Sequence, residues 1–558
     1  MDCEAQNRKK ALKKPVFVKY IKMAEYKYDT IIVGGGIAGL TSAAYVSREG
    51  QKVLLIEKNK ECGGLVNSFI RDGFHFDAGI RALEDAGIIF PMLNDLGIHL
   101  EVVKSPVSLG IENEIIHIEN LDSLTEYKHL LKKIYPESEA EIDAVIKTIR
   151  KIMKHMDVLY GIENPVFKDL KHDKNFIFKK LLPWLPKFLS TVGKINRMNM
   201  PVEDYLENII KNPSLKDIIS QHFFKNTPAF FALSYFSLYL DYFYPKGGVG
   251  KLSDALKSKV REYGGEIKTE TNIIEVIADK CVVIDQENVT YGYDNLIWAA
   301  DLKTLYRIAD TEGLPPKKRM KFGNIKKKML SNRGGDSVFT LFLEVDEPLE
   351  SFGKIANGHF FYTPSKRGLG EIHRSELKNL LIHFEKSKKE EILSWLDKFT
   401  QLNTYEISIP GLKDPECAPA GKTGLIISLL AEYDLFRKVQ EAGWYDEFKM
   451  ELENHILNVI SSSVYPMLKE KIIARFSSTP ISIENRIASS EGAITGWSFE
   501  KPVPVVNKIQ FSGRSVLTPI PSIFQAGQWT YSPAGVPMSI LTGRLAADRV
   551  LKKRAHKF

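Results

Sequence analysis

The sequence predicts an α/β fold that combines a Rossmann-type dinucleotide-binding domain with a second domain. Three observations support this prediction. The chain has 558 residues, which at roughly 150 residues per domain indicates two or three domains. Residues 28–57 read as strand, glycine-rich turn, helix and strand, and later segments carry both helical and strand periodicity.

The amino-acid composition excludes several classes of protein. Hydrophobic residues make up 44% of the chain and charged residues 26%, which is typical of a globular protein and not of a disordered, collagenous or disulfide-stapled chain. The four cysteines share no C-x-x-C spacing, so we expect neither a disulfide framework nor a zinc site, and no other metal ligands cluster. The net charge of +8 argues against a nucleic-acid partner and leaves an acidic membrane surface open.

The chain contains no obvious membrane-spanning or secretory segment. A spanning helix needs roughly 18 or more uninterrupted apolar residues, and the nearest stretch, residues 228–240, ends at Asp241. Residues 1–27 form a basic N-terminal extension that lacks the apolar core of a signal peptide. We therefore expect a cytoplasmic protein.

The nucleotide-binding unit begins at residue 28. An apolar strand at residues 30–33 runs into Gly34, Gly36 and Gly39 at G-x-G-x-x-G spacing, followed by a helix that opens at Ile37 and Ala38. In this fingerprint the first glycine makes a tight turn, the second admits a pyrophosphate, and the third allows close packing of helix and strand. The start of the helix attracts the phosphates.

A second buried strand at residues 52–57 ends in Glu57, which is followed by Lys58. An acidic residue at this point accepts hydrogen bonds from ribose hydroxyls and repels a 2′-phosphate, so FAD or NAD is favoured over NADP. Other glycine-rich stretches, such as Gly334-Gly335, lack the flanking strand and the acidic partner. The sequence therefore gives no support for a second dinucleotide and direct use of NAD(P)H.

Several further segments resemble motifs of the FAD-binding amine oxidase superfamily, and in particular of its phytoene desaturase-like branch, which includes carotenoid desaturases, carotenoid isomerases and retinol saturases. They are residues 62–64, 74–79, 244–252, 264–276 and 523–537. The resemblance implies one non-covalent FAD. The residues that would hold it are Gly34, Gly36, Ile37, Ala38, Gly39, Glu57, Lys58, Gly63, Gly64, Leu65, Gly79, Ile80, Arg81, Ile273, Gly527, Gln528, Val536 and Pro537. One departure is Gln528, where the family often has an aspartate; its amide oxygen can still accept a hydrogen bond.

The resemblance also implies a discontinuous FAD-binding domain made of residues 28–82, 244–309 and 510–552. Residues 83–243 and 310–509 would then form a substrate domain with a mixed sheet and a helical cap. Residues 121–159 have a helical pattern, whereas residues 335–346 and 423–430 read as strands.

Two features point to the substrate. Residues 223–244 hold ten aromatic residues in 22, which predicts either the lining of a long apolar tunnel or a buried aromatic helix. Arg81 is expected near the flavin, where it would hold a substrate carboxylate, contact FAD, or bridge to Glu84 or Asp85. The candidate substrate residues are Arg81, Tyr235, Phe236, Tyr239 and Tyr531.

Residues 176–189 mix large apolar side chains with lysines. Such a segment is suited to lying at a lipid interface, and the alternative is an ordinary amphipathic helix of the cap. Because lipid-soluble substrates enter from a bilayer, we expect peripheral association with a membrane surface.

These features predict an FAD-dependent oxidoreductase that desaturates, saturates or isomerises carbon–carbon bonds of a long apolar isoprenoid or lipid. The flavin would carry the reaction, so no catalytic side chain is assigned, and the external electron donor or acceptor is not specified. Two alternatives stay open. One is an enzyme related to flavin amine oxidases or protoporphyrinogen oxidase, and the other is a non-catalytic prenyl- or lipid-binding protein of the same fold, as GDP dissociation inhibitors are.

Overall fold

The structure is a computed structural model that describes residues 24–170, 172–370 and 372–555. Most of the predicted basic extension, residues 1–23, lies outside the described residues. Two large sheets organise the described chain, and residues of both line the same cavity. We refer to them as the nucleotide sheet and the substrate sheet.

The nucleotide sheet has eight strands drawn from distant parts of the chain. The strand Tyr26–Val33 lies at its centre, and its neighbours Val53–Ile56 and Thr290–Trp298 run parallel to it. The strand Ile523–Gln525 also runs parallel to Thr290–Trp298. Ligands of open α/β sheets bind beyond the carboxyl ends of such strands. The remaining strands are Glu266–Lys268, Ile273–Ile277, Val282–Asp285 and Ala309–Asp310.

Helix Ile37–Arg48 follows the glycine turn and is buried along almost its whole length. Helix Val536–Ala555 approaches this helix closely through Gly543. A Cβ added to Gly543 would lie only 2.5 Å from the carbonyl oxygen of Ala38. The Ser42 hydroxyl donates to the Gly543 carbonyl at 2.9 Å. This packing fixes helix Val536–Ala555 against the nucleotide-binding unit.

The substrate sheet is mixed, as the sequence predicted, because one of its strand pairs is parallel and the others are antiparallel. Its two longest strands, Ser337–Val345 and Thr423–Ala431, fall where the sequence predicted strands. One face of the sheet packs on the large apolar core of the second domain through residues such as Phe339 and Leu341. The strands, in spatial order, are Ile472–Ser478, Ser337–Val345, Thr423–Ala431, Tyr405–Ser408, His359–Thr363, Val107–Ile111 and Glu114–Ile118.

A helical cap packs beside the short edge strands of the substrate sheet. The helical pattern at 121–159 is interrupted in the structure, which has helices Ser123–Ile134 and Glu139–Tyr160. Pro136 causes the break, because proline has no N–H to continue the helix and restricts the residue before it. The aromatic segment 223–244 forms two short helices, Ala229–Leu233 and Tyr235–Tyr239, and the strand Tyr242–Pro245.

Smaller elements complete the described chain. A hairpin joins Ser68–Arg71 to Phe74–Asp77, and strands Leu83–Glu84 and Val102–Lys104 flank Tyr242–Pro245. The remaining α-helices are Ile89–Asp95, Lys174–Phe176, Leu182–Ile195, Val202–Glu207, Pro213–Ser220, Gly250–Glu262, Leu302–Ile308, Pro316–Leu330, Leu349–Gly353, Leu377–Ile382, Lys389–Leu402, Pro410–Lys413, Tyr433–Glu441, Tyr445–Ser462, Leu468–Lys471, Pro480–Ile487 and Ser512–Ser515.

The described residues contain neither a membrane-spanning helix nor a group of metal ligands. None of their helices has both the length and the apolar character needed to cross a bilayer. Within the same residues, no three or more His, Cys, Asp or Glu side chains are grouped so that they could hold a metal ion.

Candidate cofactor and substrate cavity

A cavity of ≈ 400 Å³ is lined by residues of both sheets. One wall, here called the glycine wall, consists of turns at the carboxyl edge of the nucleotide sheet. The opposite wall, here called the strand wall, is the inner face of the substrate sheet. Aromatic side chains of the cap close a third side: Phe224, Phe231, Tyr235 and Tyr242.

The first glycine turn has the geometry of a phosphate-binding loop. Gly34 has φ +107, and a Cβ on it would lie 2.8 Å from the Ala299 carbonyl group. A Cβ on Gly39 would lie 1.9 Å from the Gly34 carbonyl oxygen, whereas nothing lies within 4 Å of one on Gly36. The close contacts thus fix the turn against the strand and helix, and the space in front of Gly36 stays open to a ligand.

Glu57 is held in place by this turn. One carboxylate oxygen accepts a hydrogen bond from the Gly35 N–H at 2.7 Å, and the other accepts from the backbone N–H and the side-chain amide of Asn59 at 2.9 and 3.0 Å. Both Glu57 and Asn59 line the cavity. A carboxylate pre-oriented beside the glycine turn fits the acceptor that ribose hydroxyls require.

Three further backbone segments complete the glycine wall. Gly63 and Gly527 have φ values of +121 and +97, which disfavour any residue with a side chain. A Cβ on Gly79 would lie 2.0 Å from the Leu65 carbonyl oxygen, so these two segments can approach only without a side chain. Gln528 lines the cavity, and its amide nitrogen donates to the Ala493 carbonyl at 3.4 Å. The wall therefore presents mainly backbone to the cavity, as a dinucleotide site does.

The predicted cofactor residues divide into two groups. Those that line the cavity are Gly34, Gly36, Ile37, Ala38, Glu57, Gly63, Gly64, Leu65, Gly79, Ile80, Arg81, Gly527, Gln528 and Val536. Gly39, Lys58, Ile273 and Pro537 are not among the lining residues: Lys58 donates to the Asn485 carbonyl, and Ile273 packs in the sheet core.

The predicted substrate residues divide in the same way. Arg81 and Tyr235 line the cavity. Phe236 and Tyr239 instead pack into the apolar core of the cap, and Tyr531 is buried outside the cavity lining. Part of the aromatic segment thus lines the cavity and part is buried in the core, because successive side chains of its short helices point in different directions.

The strand wall contains residues that the sequence analysis missed. Five side chains form a continuous row across five strands, since Phe361 pairs with Glu406, Glu406 with Ser428, Ser428 with Thr340, and Thr340 with Ser478. All five line the cavity, as do His359 and Thr404 on the same face. The alternation of apolar and polar residues in the strand at Thr340 could have indicated that Thr340 lies on a different face from its apolar neighbours, because residues two apart share one face of a sheet.

Arg81 connects the two walls. Its guanidinium donates to the carbonyl oxygens of Asp77 and Gly79, each at 2.6 Å, and to the Ser428 hydroxyl at 3.1 Å. The predicted bridge to Glu84 or Asp85 is not among these contacts. The Arg81 carbonyl in turn accepts from the buried Lys413 ammonium at 2.8 Å.

A cluster of charged groups surrounds Glu406 at the strand wall. Burial lowers the pKa of Lys413 to about 8, although its ammonium also lies over the Tyr244 ring at 4.7 Å. Burial alone would raise the pKa of Glu406, but the hydrogen bond from His359 and the charges of Arg81 and Lys413 outweigh it and hold that pKa below its ordinary value. Glu406 is therefore ionised at neutral pH, opposite two cations.

Glu84 stands where the two walls meet. A Cβ on Gly535, immediately before helix Val536–Ala555, would lie 3.6 Å from one Glu84 carboxyl oxygen. Burial, with a smaller contribution from Asp241, raises the pKa of Glu84 to about 7. This carboxyl group is thus partly protonated at neutral pH and lines the cavity.

The sequence of this chain is similar to those of known proteins. Residues 37–373 match the family described as flavin containing amine oxidoreductase. The chain is 24% identical to all-trans-retinol 13,14-reductase of Danio rerio, over 90% of this chain and 82% of the fish protein. It is 22% identical to carotenoid 3,4-desaturase of Haloarcula japonica, over 94% of this chain and 98% of the archaeal protein.

A solved structure shares the fold. The oxidoreductase from Methanosarcina mazei superposes with a TM-score of 0.57 at 13% sequence identity, over 94% of this chain and the whole of that one.

Proposed function

The chain belongs to the family of flavin-containing amine oxidoreductases, and from this premise we propose that it uses FAD to oxidise, reduce or isomerise carbon–carbon bonds of a long apolar isoprenoid. The observation that carries the proposal is a cavity that has a backbone wall suited to a dinucleotide and an opposite side lined by aromatic rings. The relatives named retinol 13,14-reductase and carotenoid 3,4-desaturase act on substrates of this chemical class, which agrees with that lining.

We assign the dinucleotide to the glycine wall. The backbone at Gly34 and Gly36 and the start of helix Ile37–Arg48 would receive the pyrophosphate, and Glu57 the ribose hydroxyls. When bound, FAD supplies the hydride acceptor or donor for the carbon–carbon bond. The rings of Phe231, Tyr235 and Tyr242 would hold a polyene and exclude water.

The two alternatives fit the cavity less well. A flavin amine oxidase takes a cationic or polar substrate, whereas the cap side of this cavity is aromatic. A non-catalytic lipid carrier has no need for the glycine wall, whose turns and Glu57 are arranged as a dinucleotide site requires.

The experiment is an anaerobic titration of the purified holoprotein, followed by flavin absorbance in both redox states. We expect an isoprenoid to bleach the oxidised flavin, to restore the absorbance of the reduced flavin, or to be isomerised without net change. Primary amines of similar length serve as the control. Bleaching by amines alone would replace the proposal with the amine oxidase alternative.

We further propose that residues 177–195 dock the protein on an anionic membrane. Their exposed apolar side chains are Phe178, Leu182, Leu185 and Leu189, with 66%, 49%, 41% and 60% of their surface accessible. The spacing of these positions places them along one side of the helical segment.

The charges of this segment favour an anionic lipid surface over another partner. Residues 174–195 contain five lysines and no aspartate or glutamate, and Lys179, Lys180, Lys187 and Lys194 are all exposed. Apolar side chains flanked by lysines are typical of helices at the headgroup boundary of anionic bilayers. Trp184 and Phe188 do not belong to the exposed face, because the Trp184 indole donates to the Val158 carbonyl and its ring packs on Phe188.

A further inference from the structure

The carboxylate of Glu406 is unusual because it lies deep in the protein and yet faces the cavity. A third of its side-chain surface, 33%, is accessible, although it sits in the middle of the substrate sheet. Among the described residues its one hydrogen-bond partner is His359, whose Nε2 lies 2.9 Å from Oε1. The second carboxylate oxygen is thus available to a ligand.

The charges around Glu406 balance. Arg81 and Lys413 contribute two cations, and Glu406 and Asp77 two anions, while burial lowers the pKa of His359 and keeps its imidazole neutral. Asp77 is already satisfied by the Tyr244 hydroxyl and the Val249 N–H. An anionic ligand at Glu406 would meet a like charge, and a cationic ligand would add charge to a balanced, buried cluster. Burying an unpaired charge is costly, so a neutral ligand group is favoured.

The surroundings of Glu406 are apolar on the side of the cap. Phe361 is its cross-strand neighbour, and the His359 ring stacks on Tyr242 with centroids 5.2 Å apart. Tyr235, Phe231 and Phe224 continue this aromatic lining. A ligand that places a polar group at Glu406 would therefore place an apolar chain on the cap side.

We propose that the cavity face of Glu406 is a subsite for the terminal hydroxyl of an isoprenoid alcohol, which donates a hydrogen bond to the free carboxylate oxygen. The inference rests on the proposed function and specifies the substrate's head group. A hydroxyl is neutral and carries the donor that a carboxylate accepts. A pure hydrocarbon would leave the exposed carboxylate oxygen without a partner, and a carboxylic acid would place a second anion beside it.

This subsite is an alternative to the expectation that Arg81 holds a substrate carboxylate. Both terminal nitrogens of Arg81 already donate to protein oxygens, namely those of Asp77, Gly79 and Ser428. Glu406 lies close enough to influence the pKa of Arg81. A substrate carboxylate that approached this arginine would therefore be repelled by Glu406.

The test compares three ligands of one length on the FAD-loaded protein: all-trans-retinol, all-trans-retinoic acid, and axerophthene, the hydrocarbon that lacks the hydroxyl. Binding is followed by perturbation of the flavin spectrum at fixed detergent concentration. We expect the alcohol to bind about tenfold or more tightly than the hydrocarbon, the usual effect of a hydrogen bond to a charged group, and the acid to bind most weakly.

Glu406→Gln sharpens the test. In this variant the preference for alcohol over hydrocarbon should fall to about fivefold or less, the scale of one neutral hydrogen bond, and the acid should gain affinity. Glu385→Gln, an exposed position in the same domain, should keep the pattern of the parent. Equal binding of alcohol and hydrocarbon by the parent would overturn the subsite and leave the proposed function standing. If none of the three ligands perturbs the flavin, the proposed function falls, and the subsite with it.

Discussion

The two walls of the cavity are built from different parts of the polypeptide. The glycine wall uses backbone, and its shape depends on the absence of side chains at Gly34, Gly39 and Gly79. The strand wall uses side chains that project from alternate positions of the substrate sheet, among them Thr340, Ser428 and Glu406. Under the proposed function, the backbone of the glycine wall would hold the common cofactor, and the side chains of the strand wall, which single substitutions change, would select the substrate.

This difference predicts that substitutions in the two walls separate cofactor binding from substrate binding. The largest effect is expected for Gly36→Asp, because its carboxylate would enter the open space in front of the glycine turn and repel the phosphates. The purified variant should contain no FAD by absorbance. Gly323→Asp is the matched control, since Gly323 also has nothing within 4 Å and lies exposed on helix Pro316–Leu330. Flavin retained by Gly36→Asp would refute the assignment of the glycine wall.

A second prediction concerns the exposed apolar face of residues 177–195, which lies outside the cavity. If this face binds membranes, only substitutions of its outward-facing side chains should weaken binding. The double substitution Leu182→Ser and Leu189→Ser should weaken sedimentation with anionic liposomes at least about tenfold, because each buried leucine contributes roughly 1.5–3 kcal/mol. FAD content should not change.

Two comparisons make this membrane experiment specific. Ile70→Ser with Ile382→Ser removes equally exposed apolar side chains from other surfaces and should leave sedimentation unchanged. Equal losses in both double variants, or no binding by the parent, would return residues 177–195 to an ordinary helix of the cap.

Glu84, at the junction of the walls, gives a pH-dependent prediction. Its folded-state pKa of about 7 lies above the ordinary value of 4.5, so the stability it contributes is complete below pH 4.5 and is lost as the pH rises through 7. Glu84→Gln cannot titrate and should therefore be more stable than the parent at pH 8, by roughly 1–3 kcal/mol, with the difference vanishing near pH 4.5. Urea unfolding of the holoprotein at both pH values measures this, and a difference that is independent of pH would contradict it.

The smallest effect is expected for Thr340→Val in the strand wall. The Thr340 and Ser428 hydroxyls share a hydrogen bond of 3.1 Å, and the Ser428 hydroxyl also accepts a hydrogen bond from the Arg81 guanidinium. Losing it should change the affinity for an isoprenoid alcohol by about fivefold, the scale of one neutral hydrogen bond, while FAD content stays the same. Thr400→Val removes a buried hydroxyl from helix Lys389–Leu402, away from the cavity lining, and should leave ligand affinity unaltered.

The same contrast explains what the sequence could predict. The glycine turn and Glu57 were identified because a backbone site requires particular residues at fixed spacings, and the order of strand, helix and strand follows from local pattern. Ile273 and Lys58 were assigned to the cofactor by resemblance, yet the cavity lining does not include them. Resemblance gave their position along the chain, and their assignment to the cofactor stays a prediction.

The part of the strand wall around Glu406 could not be predicted from the sequence, for a physical reason. Glu406 lies on a strand of four residues, Tyr405–Ser408, too short for alternation to indicate a face. Its partners His359, Arg81 and Lys413 come from other elements and meet it only through long-range sheet pairing. Residues 177–195 show the same limit, since their composition indicated a segment suited to a lipid interface but not that Leu182 and Leu189 face outward while Trp184 faces inward.

The most direct test of the two-wall account is a crystal structure of the FAD-loaded protein with an isoprenoid alcohol bound. The account predicts that the dinucleotide lies along Gly36, Glu57 and Gly527, and that the isoprenoid lies between the flavin and the row formed by Thr340, Ser428 and Glu406. Electron density for the isoprenoid outside this cavity, or for the dinucleotide away from the glycine wall, would contradict it.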